Sequence, residues 1–262
     1  MPERLENVNV PIRDASTVVL LRDGTEDSGG VEAWLLTRVK QMAFAAGMTV
    51  FPGGRVDAAD AHLPFAGPAC AHIAARFGCD ESLARALLGA AVRETFEETG
   101  VLLTTPSADL SAARTDVEAG RVGFGDLLNE HGLSIDGEGL RPWARWVTPA
   151  GETRRYDTRF FVGALPDGAD AQDVTSESSE ASWVGVRTAL DQAQRGERMM
   201  LPPTLVTLAS LVEFATVRDA LAAADARPVE AVRPTIRLTD DGAVLVDLPD
   251  GSSIALPGAM FR

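Results

Sequence analysis

The stretch Arg93-Glu94-Thr95-Phe96-Glu97-Glu98-Thr99-Gly100-Val101 constrains this chain more than any other. Its carboxylates at 94, 97 and 98 stand at i, i+3 and i+4. A helix of about 100° per residue gathers them within an arc of roughly 100°. Like charges so close weaken an isolated helix. A cation among them offsets the repulsion, and hard divalent ions such as Mg2+ take oxygen ligands of this kind. Leu88, Val92, Thr95, Phe96 and Thr99 fall on the opposite side, a mostly apolar seam at spacings of three and four. Gly100 stands where a left-handed helix stop belongs. The expected element is a helix with a dry back, an acidic front and a sharp end.

A solvated surface helix accounts for Glu97-Glu98 alone, but not for the whole string. At average usage of about 6% per charged residue type and 7% for Gly, its five-residue pattern arises by chance about twice in 10,000 chains of this length. The string resembles the second half of the Nudix hydrolase box, Arg-Glu-apolar-any-Glu-Glu-any-Gly-apolar, with Thr95 where an aliphatic residue is usual. The box opens with Gly, five residues, Glu and seven more. Counting back from Arg93 puts Cys79 and Arg85 at those two positions, so the contiguous pattern fails. From Gly54, however, five residues lead to Asp60, an acidic residue where the box has Glu. Then 32 residues rather than seven separate Asp60 from Arg93, an insertion of 25. The run Gly47-Met48-Thr49-Val50-Phe51-Pro52-Gly53-Gly54-Arg55-Val56-Asp57-Ala58-Ala59-Asp60, an insertion, then Arg93 to Glu98, is similar to the peroxisomal coenzyme A diphosphatase branch of the Nudix family and its bacterial relatives.

The resemblance implies the Nudix fold, an α/β (α+β) arrangement with a mixed sheet sandwiched between helices. It implies a catalytic set of Arg93, Glu94, Glu97 and Glu98. Glu97 and Glu98 are the principal metal ligands, and Glu94 is a further ligand or an organiser of water. Arg93 orients the carboxylates through a charge-assisted bond. Mg2+ is the expected cofactor, with Mn2+ as the alternative. The backbone at Gly53 and Gly54 approaches metal or phosphates closely, which only residues without Cβ permit. Arg38 and Arg55 are expected to meet the substrate, within a wider set of candidate cations made of Lys40, Arg154, Arg155 and Arg159. The general base is a box glutamate or one of Glu177, Glu180 and Glu152. For the halves of the box to act together, the insertion has to leave the Gly53-Gly54 turn beside the N-terminal part of the 93–99 helix. Loop-closure entropy grows only logarithmically, so 25 extra residues cost roughly 1–1.5 kcal/mol.

The resemblance further implies a Nudix domain over 1–200, its box split at about 61–85, and an extension over 201–262. Residues 16–22, 31–38 and 48–52 read as strands, the last running into the glycine turn. The insertion starts with Pro64, Gly67 and Pro68 and turns helical from about 69. Residues 81–99 read as one helix, with Leu83 and Leu87 on the carboxylate side and packing under the insertion. Residues 111–131 look helical. Strands follow at 143–147, 155–164 and 182–186, then a helix at 187–195. Beyond Pro202-Pro203, residues 204–225 read as one helix capped by Thr204, and 234–256 as a hairpin turning at Asp240-Asp241-Gly242. Leu201-Pro202-Pro203-Thr204 and Arg155 to Phe161 also resemble the diphosphatase branch, which extends the likeness over most of the chain.

A net charge of −14, from 38 acidic and 24 basic residues, repels a nucleic-acid backbone, so duplex binding is not expected. A small nucleoside diphosphate remains admissible if metal and local arginines invert the field. No run of 18 apolar residues is present, so no membrane span is expected. The start lacks a signal-peptide profile and the end is not of the Ser-Lys-Leu type, which makes the cytoplasm the expected location. Cys70 and Cys79 lack zinc-site partners and are expected to pack within the insertion. His62, His72 and His131 share no ligand spacing and take no role. Self-association as a homodimer is left open.

Three functional readings remain. One is a diphosphatase acting on coenzyme A or its acyl esters, since Leu35-Leu36-Thr37-Arg38 and Gly47 to Asp57 partly match the signature of relatives that cleave coenzyme A. Another is a Nudix pyrophosphatase on ADP-ribose or dinucleotides. A third is a non-catalytic Nudix module that senses a metabolite.

Overall fold

Strand β1 (Ile12–Asp23) changes partner along its length, and this positions the glycine turn. Residues 10–25, 29–39, 46–172, 178–239 and 244–256 are described by the computed structural model. The C-terminal end of β1 pairs antiparallel with β2 (Val31–Arg38), Leu21 lying opposite Ala33. Beyond it, β3 (Thr49–Val50) pairs with the end of β2. Nearer its start, β1 pairs with β4 (Gly53–Arg55), which sets Thr17 opposite Gly53 and Ser16 opposite Gly54. On its other side β1 runs parallel to the strand Arg155–Ala164, from Ile12 opposite Arg155 to Leu21 opposite Ala164. The strand Leu140–Val147 follows antiparallel, then Ala231–Val232 at one edge, with Ser178–Gly185 on β2 at the other. The result is a mixed sheet of eight strands.

Alternation along β1 divides the core between two faces. Val18 and Leu20 join an apolar cluster with Leu88, Ala91, Val92 and Phe96. Val19 and Leu21 point the other way, to Phe160, Leu208, Leu211 and Ala220. The first face is covered by α1 (Ala69–Phe77) and α2 (Glu81–Thr99), the second by the helices Val186–Gln194, Pro202–Ala209 and Val217–Ala226. This is the helix–sheet–helix sandwich expected from the sequence. Each fully buried Leu or Phe stabilises it by roughly 1.5–3 kcal/mol.

Helix α2 begins at Asp80, whose side chain accepts from the Leu83 amide at 2.8 Å. It ends at Gly100, in the left-handed region, whose N–H donates to the Phe96 carbonyl at 2.9 Å. Leu88, Val92, Thr95, Phe96 and Thr99 are fully buried, so the dry back is real. Leu87 is buried with Ile73 and Phe77 of α1, under the insertion as expected. Cys70 and Cys79 also pack there as free thiols. The insertion is tied across the molecule as well. Arg76 of α1 donates to the carbonyls of Ala224, Asp225 and Arg227, the open end of the helix Val217–Ala226.

Three segments depart from the sequence reading. Residues 111–131 form a short 3-10 turn and two helices, Arg114–Glu118 and Phe124–Glu130, because Gly120 adopts positive φ and stops the first. The single helix expected over 204–225 is two. It breaks at Ser210, whose hydroxyl donates to the Thr207 carbonyl and accepts from Trp143 Nε1, and it restarts at Thr216, which caps the second helix. Leu201, not Thr204, is the N-cap of the first, since Pro202 and Pro203 already occupy its first turn. The C-terminal hairpin is a three-stranded meander, Thr235–Leu238, Val244–Asp247 and Ser253–Leu256. Its expected turn at 240–242 lies outside the described residues. No described helix is long and apolar enough to cross a membrane.

Candidate active site

Arg93 is the hub of the acidic helix face. Its Nε and Nη2 hold both oxygens of Asp60 at 2.8 and 3.0 Å, its Nη1 meets Glu94 at 2.8 Å and Glu97 at 3.4 Å, and Nη2 also reaches the Arg55 carbonyl at 3.1 Å. Asp60 is 1% exposed and accepts the Asp57 amide at 2.8 Å besides. The acidic residue that opens the split box thus locks the arginine that begins its second half. Burial disfavours the Arg93 charge, but the charge-assisted bonds it donates to Asp60 and the surrounding carboxylates together outweigh burial and hold the guanidinium protonated.

The glycine turn and the helix do meet. The Gly53 N–H donates to Glu98 Oε2 at 2.9 Å. A Cβ on Gly54 would collide with the Glu94 carboxylate, and one on Gly53 with the Ser16 carbonyl. Only glycine lets β4 lie between β1 and these carboxylates. Further along the helix, a Cβ on Gly89 would strike the Asp60 carbonyl, so the insertion also descends onto α2 at a residue without a side chain.

Glu94, Glu98, Gly53, Gly54 and Arg55 open into a cavity of about 530 Å³. Arg38, Glu152, Arg154 and Tyr156 line it too, over a floor of Phe51, Phe160 and Trp146. Leu201, Pro202 and Pro203 form one wall, and Pro234, Ile236 and Val246 close another. The volume lies in the range of small-molecule sites.

Other sequence candidates fall elsewhere. Arg155 braces its own hairpin through the Thr148 carbonyl, and Arg159 is buried between Asp14 and Asp157. Their ion pairs and backbone bonds, absent from any linear pattern, take both away from the cavity. Glu180 is exposed on the edge strand and does not line the cavity; Lys40 and Glu177 lie outside the described residues. Sequence reasoning missed Arg114, which is buried and donates to the Glu97 carbonyl at 2.7 Å, steadying the last turn of α2. An arginine 17 positions downstream carries no local signal of that role. The cavity walls around Leu201–Thr204 and Tyr156 did carry one, in the two segments that resemble the diphosphatase branch.

The electrostatics leave negative charge in excess. Burial raises Glu94, and it pushes Glu97 up to about 7 despite the pull of Arg93. Asp60, Glu94 and Glu97 share one guanidinium, with Glu98 a turn along. A hard cation is the natural complement of such a set. Among the described residues no three potential ligands converge on one point: Glu94 and Glu98 face the cavity while Glu97 turns to Arg93. Two carboxylates with substrate phosphates completing the shell is how Mg2+ is ordinarily held, so the residues fit that ion.

Comparisons with known proteins agree with this geometry. The family model for the NUDT19 Nudix domain matches residues 80–211, half of the chain. Nudix hydrolase 7 of Caenorhabditis elegans is 29% identical over 205 residues, 76% of this chain and 60% of that protein. The acyl-coenzyme A diphosphatase NUDT19 of Gallus gallus is 27% identical over 277 residues, 87% of this chain and 71% of that one. This chain thus spans about 60–70% of the length of these relatives. The crystal structure of a NUDIX hydrolase from Alicyclobacillus acidocaldarius superposes with a TM-score of 0.68 at 29% identity, over 81% of this chain and 96% of that one.

Proposed function

For a chain that belongs to the Nudix hydrolase family, we propose a divalent-metal-dependent diphosphatase that cleaves coenzyme A or its acyl esters. Water adds across the diphosphate linkage, giving adenosine 3′,5′-bisphosphate and 4′-phosphopantetheine or its acyl ester. The observation that carries this reading is the bond from Gly53 to Glu98, which closes the split box at the mouth of an arginine-lined cavity. The name of the Gallus gallus relative, an acyl-coenzyme A diphosphatase, supports the substrate.

Mg2+ held by Glu94 and Glu98 would supply an acidified water and a Lewis acid for the phosphoryl oxygens, while Glu97 stays on Arg93. The rest falls to the chain itself. Asp60 fixes Arg93, and Arg93 fixes Glu94 and Glu97, so the carboxylates are oriented before substrate arrives. The Gly53 amide holds one oxygen of Glu98. Arg38, Arg55 and Arg154 line the cavity and would receive phosphate groups, for which the guanidinium's planar fork is suited. Glu152 lines the same cavity and Glu180 does not, which supports Glu152 over Glu180 as general base, with a box glutamate as the other candidate.

The same reading divides the chain into a Nudix domain over 1–200 and an extension over 201–262 packed on it. Its support is that Leu208 and Leu211 share an apolar cluster with Val19 and Leu21 of β1.

The test is a product-resolved screen of the purified protein against coenzyme A, ADP-ribose, NADH and nucleoside triphosphates, with Mg2+ and with chelator. Cleavage of coenzyme A at its diphosphate above the others is expected. Equal rates on ADP-ribose would make it a general nucleoside diphosphate hydrolase, and no turnover of any compound would make it a sensor.

A further inference from the structure

We infer that the C-terminal meander forms an apolar end of the cavity that takes the acyl chain of a coenzyme A thioester, with Ile236 and Val246 setting the preference for acylated over free coenzyme A. This rests on the proposed diphosphatase reading and deepens it.

The register of the sheet measures the cavity. Arg55 lies opposite Ala15, Ala15 opposite Thr158, Thr158 opposite Trp146, and Trp146 opposite Val232. These are four strand-to-strand steps, so the strand holding Val232 lies roughly 19 Å from β4. Pro234 and Ile236 continue the chain from there and line the same cavity, joined by Val246 from the next strand. The carboxylates and the glycine turn therefore occupy one end and the meander the other.

The two ends differ in chemistry. Pro234, Ile236 and Val246 present only apolar side chains. Ile236 is 40% exposed, one of two large apolar side chains so exposed among the described residues. Val246 instead seeds a small cluster of the meander's own, with Leu248 and Ile254. An isoleucine left open on a cavity wall gains by covering it with an apolar group. A purine offers ring nitrogens and an amine, which these side chains cannot pair. An alkyl chain needs no partner, and in an acyl ester it projects from the pantetheine arm at the end remote from the diphosphate.

The test compares kcat/KM for free, acetyl-, hexanoyl- and decanoyl-coenzyme A, with Mg2+, in the full chain and in Ile236→Asn and Val246→Thr. In the unaltered protein kcat/KM should rise with chain length, by at most about fourfold per buried methylene. In Ile236→Asn the loss should grow with chain length and be smallest for free coenzyme A, with Val246→Thr following the same trend. Equal loss on every substrate would place the base or the pantetheine arm, not the acyl chain, against this wall. A chain-length profile that is flat, or that is unchanged by either variant, would overturn the inference while leaving the diphosphatase reading intact. Failure of the unaltered protein on free and acylated coenzyme A alike would overturn both.

Discussion

The amide of Gly53 donates to the carboxylate of Glu98 across 2.9 Å, although 45 positions separate the two in sequence. The split motif therefore works as one unit in space. The insertion between its halves is absorbed by α1 and by contacts to the far side of the fold, so it does not displace the turn from the helix.

Glu98→Gln keeps the size of the side chain and the bond from Gly53 but removes a charged oxygen from the cavity mouth. Turnover should fall on the order of 10²-fold or more, if the carboxylate holds the ion that activates water. Circular dichroism and melting temperature should stay close to those of the parent. Near-parental activity at saturating Mg2+ would falsify the assignment.

Gly54→Ala and Gly89→Ala should separate function from stability. The first forces Glu94 aside at an open cavity, so activity should drop with little change in unfolding free energy. The second drives a methyl into the Asp60 backbone where both segments are packed, which should cost about 1–3 kcal/mol in denaturant unfolding. A large loss of stability in Gly54→Ala would mean that the Glu94 contact is structural.

Asp60→Ala leaves the mostly buried Arg93 without its two-pronged partner. Breaking such a pair costs roughly 3–5 kcal/mol, and the exposed edge of Arg93 favours the lower figure. Glu94 and Glu97 should lose their fixed orientation as well, which would appear as a fall in kcat. Urea titration and steady-state kinetics on the same preparation check both; an unchanged urea midpoint counts against Asp60 as the anchor.

Mg2+ binding to the folded chain alone should raise its melting temperature. At about 100 times the dissociation constant the gain is roughly 2.7 kcal/mol. The shift should vanish with chelator and be much reduced in Glu98→Gln. A shift of the same size in that variant would move the ion to another site.

Arg76→Ala removes three bonds to carbonyls at the end of the helix Val217–Ala226. Favourable helix-end cations contribute roughly 1–2 kcal/mol. A loss of that size is expected in thermal unfolding, together with faster amide exchange in residues 217–226. Unchanged exchange there would show that the insertion does not steady this helix.

The sequence by itself determined α2 and the face that its carboxylates share. The carboxylate spacing, the apolar seam ending in fully buried Thr99 and the Gly100 stop are local properties, written within about three helical turns of one helix. The strands Val31–Arg38 and Arg155–Ala164 were legible for the same reason, since a short continuous apolar run needs no knowledge of partners. Tertiary structure alone decided what crosses the chain. Asp60 could be matched to a motif position, but its hold on Arg93 appears only when the insertion folds back over Gly89. Arg159 read as a candidate substrate cation until Asp14 enclosed it from a distant strand. The breaks at Gly120 and Ser210 lie inside helix-forming sequence, and the second is set by a hydrogen bond from Trp143 that no local propensity encodes. Ile236 belongs to the cavity only because β-sheet register carries the C-terminal strands back beside Trp146. Local spacing fixes which face a residue shows, while long-range pairing fixes what that face meets.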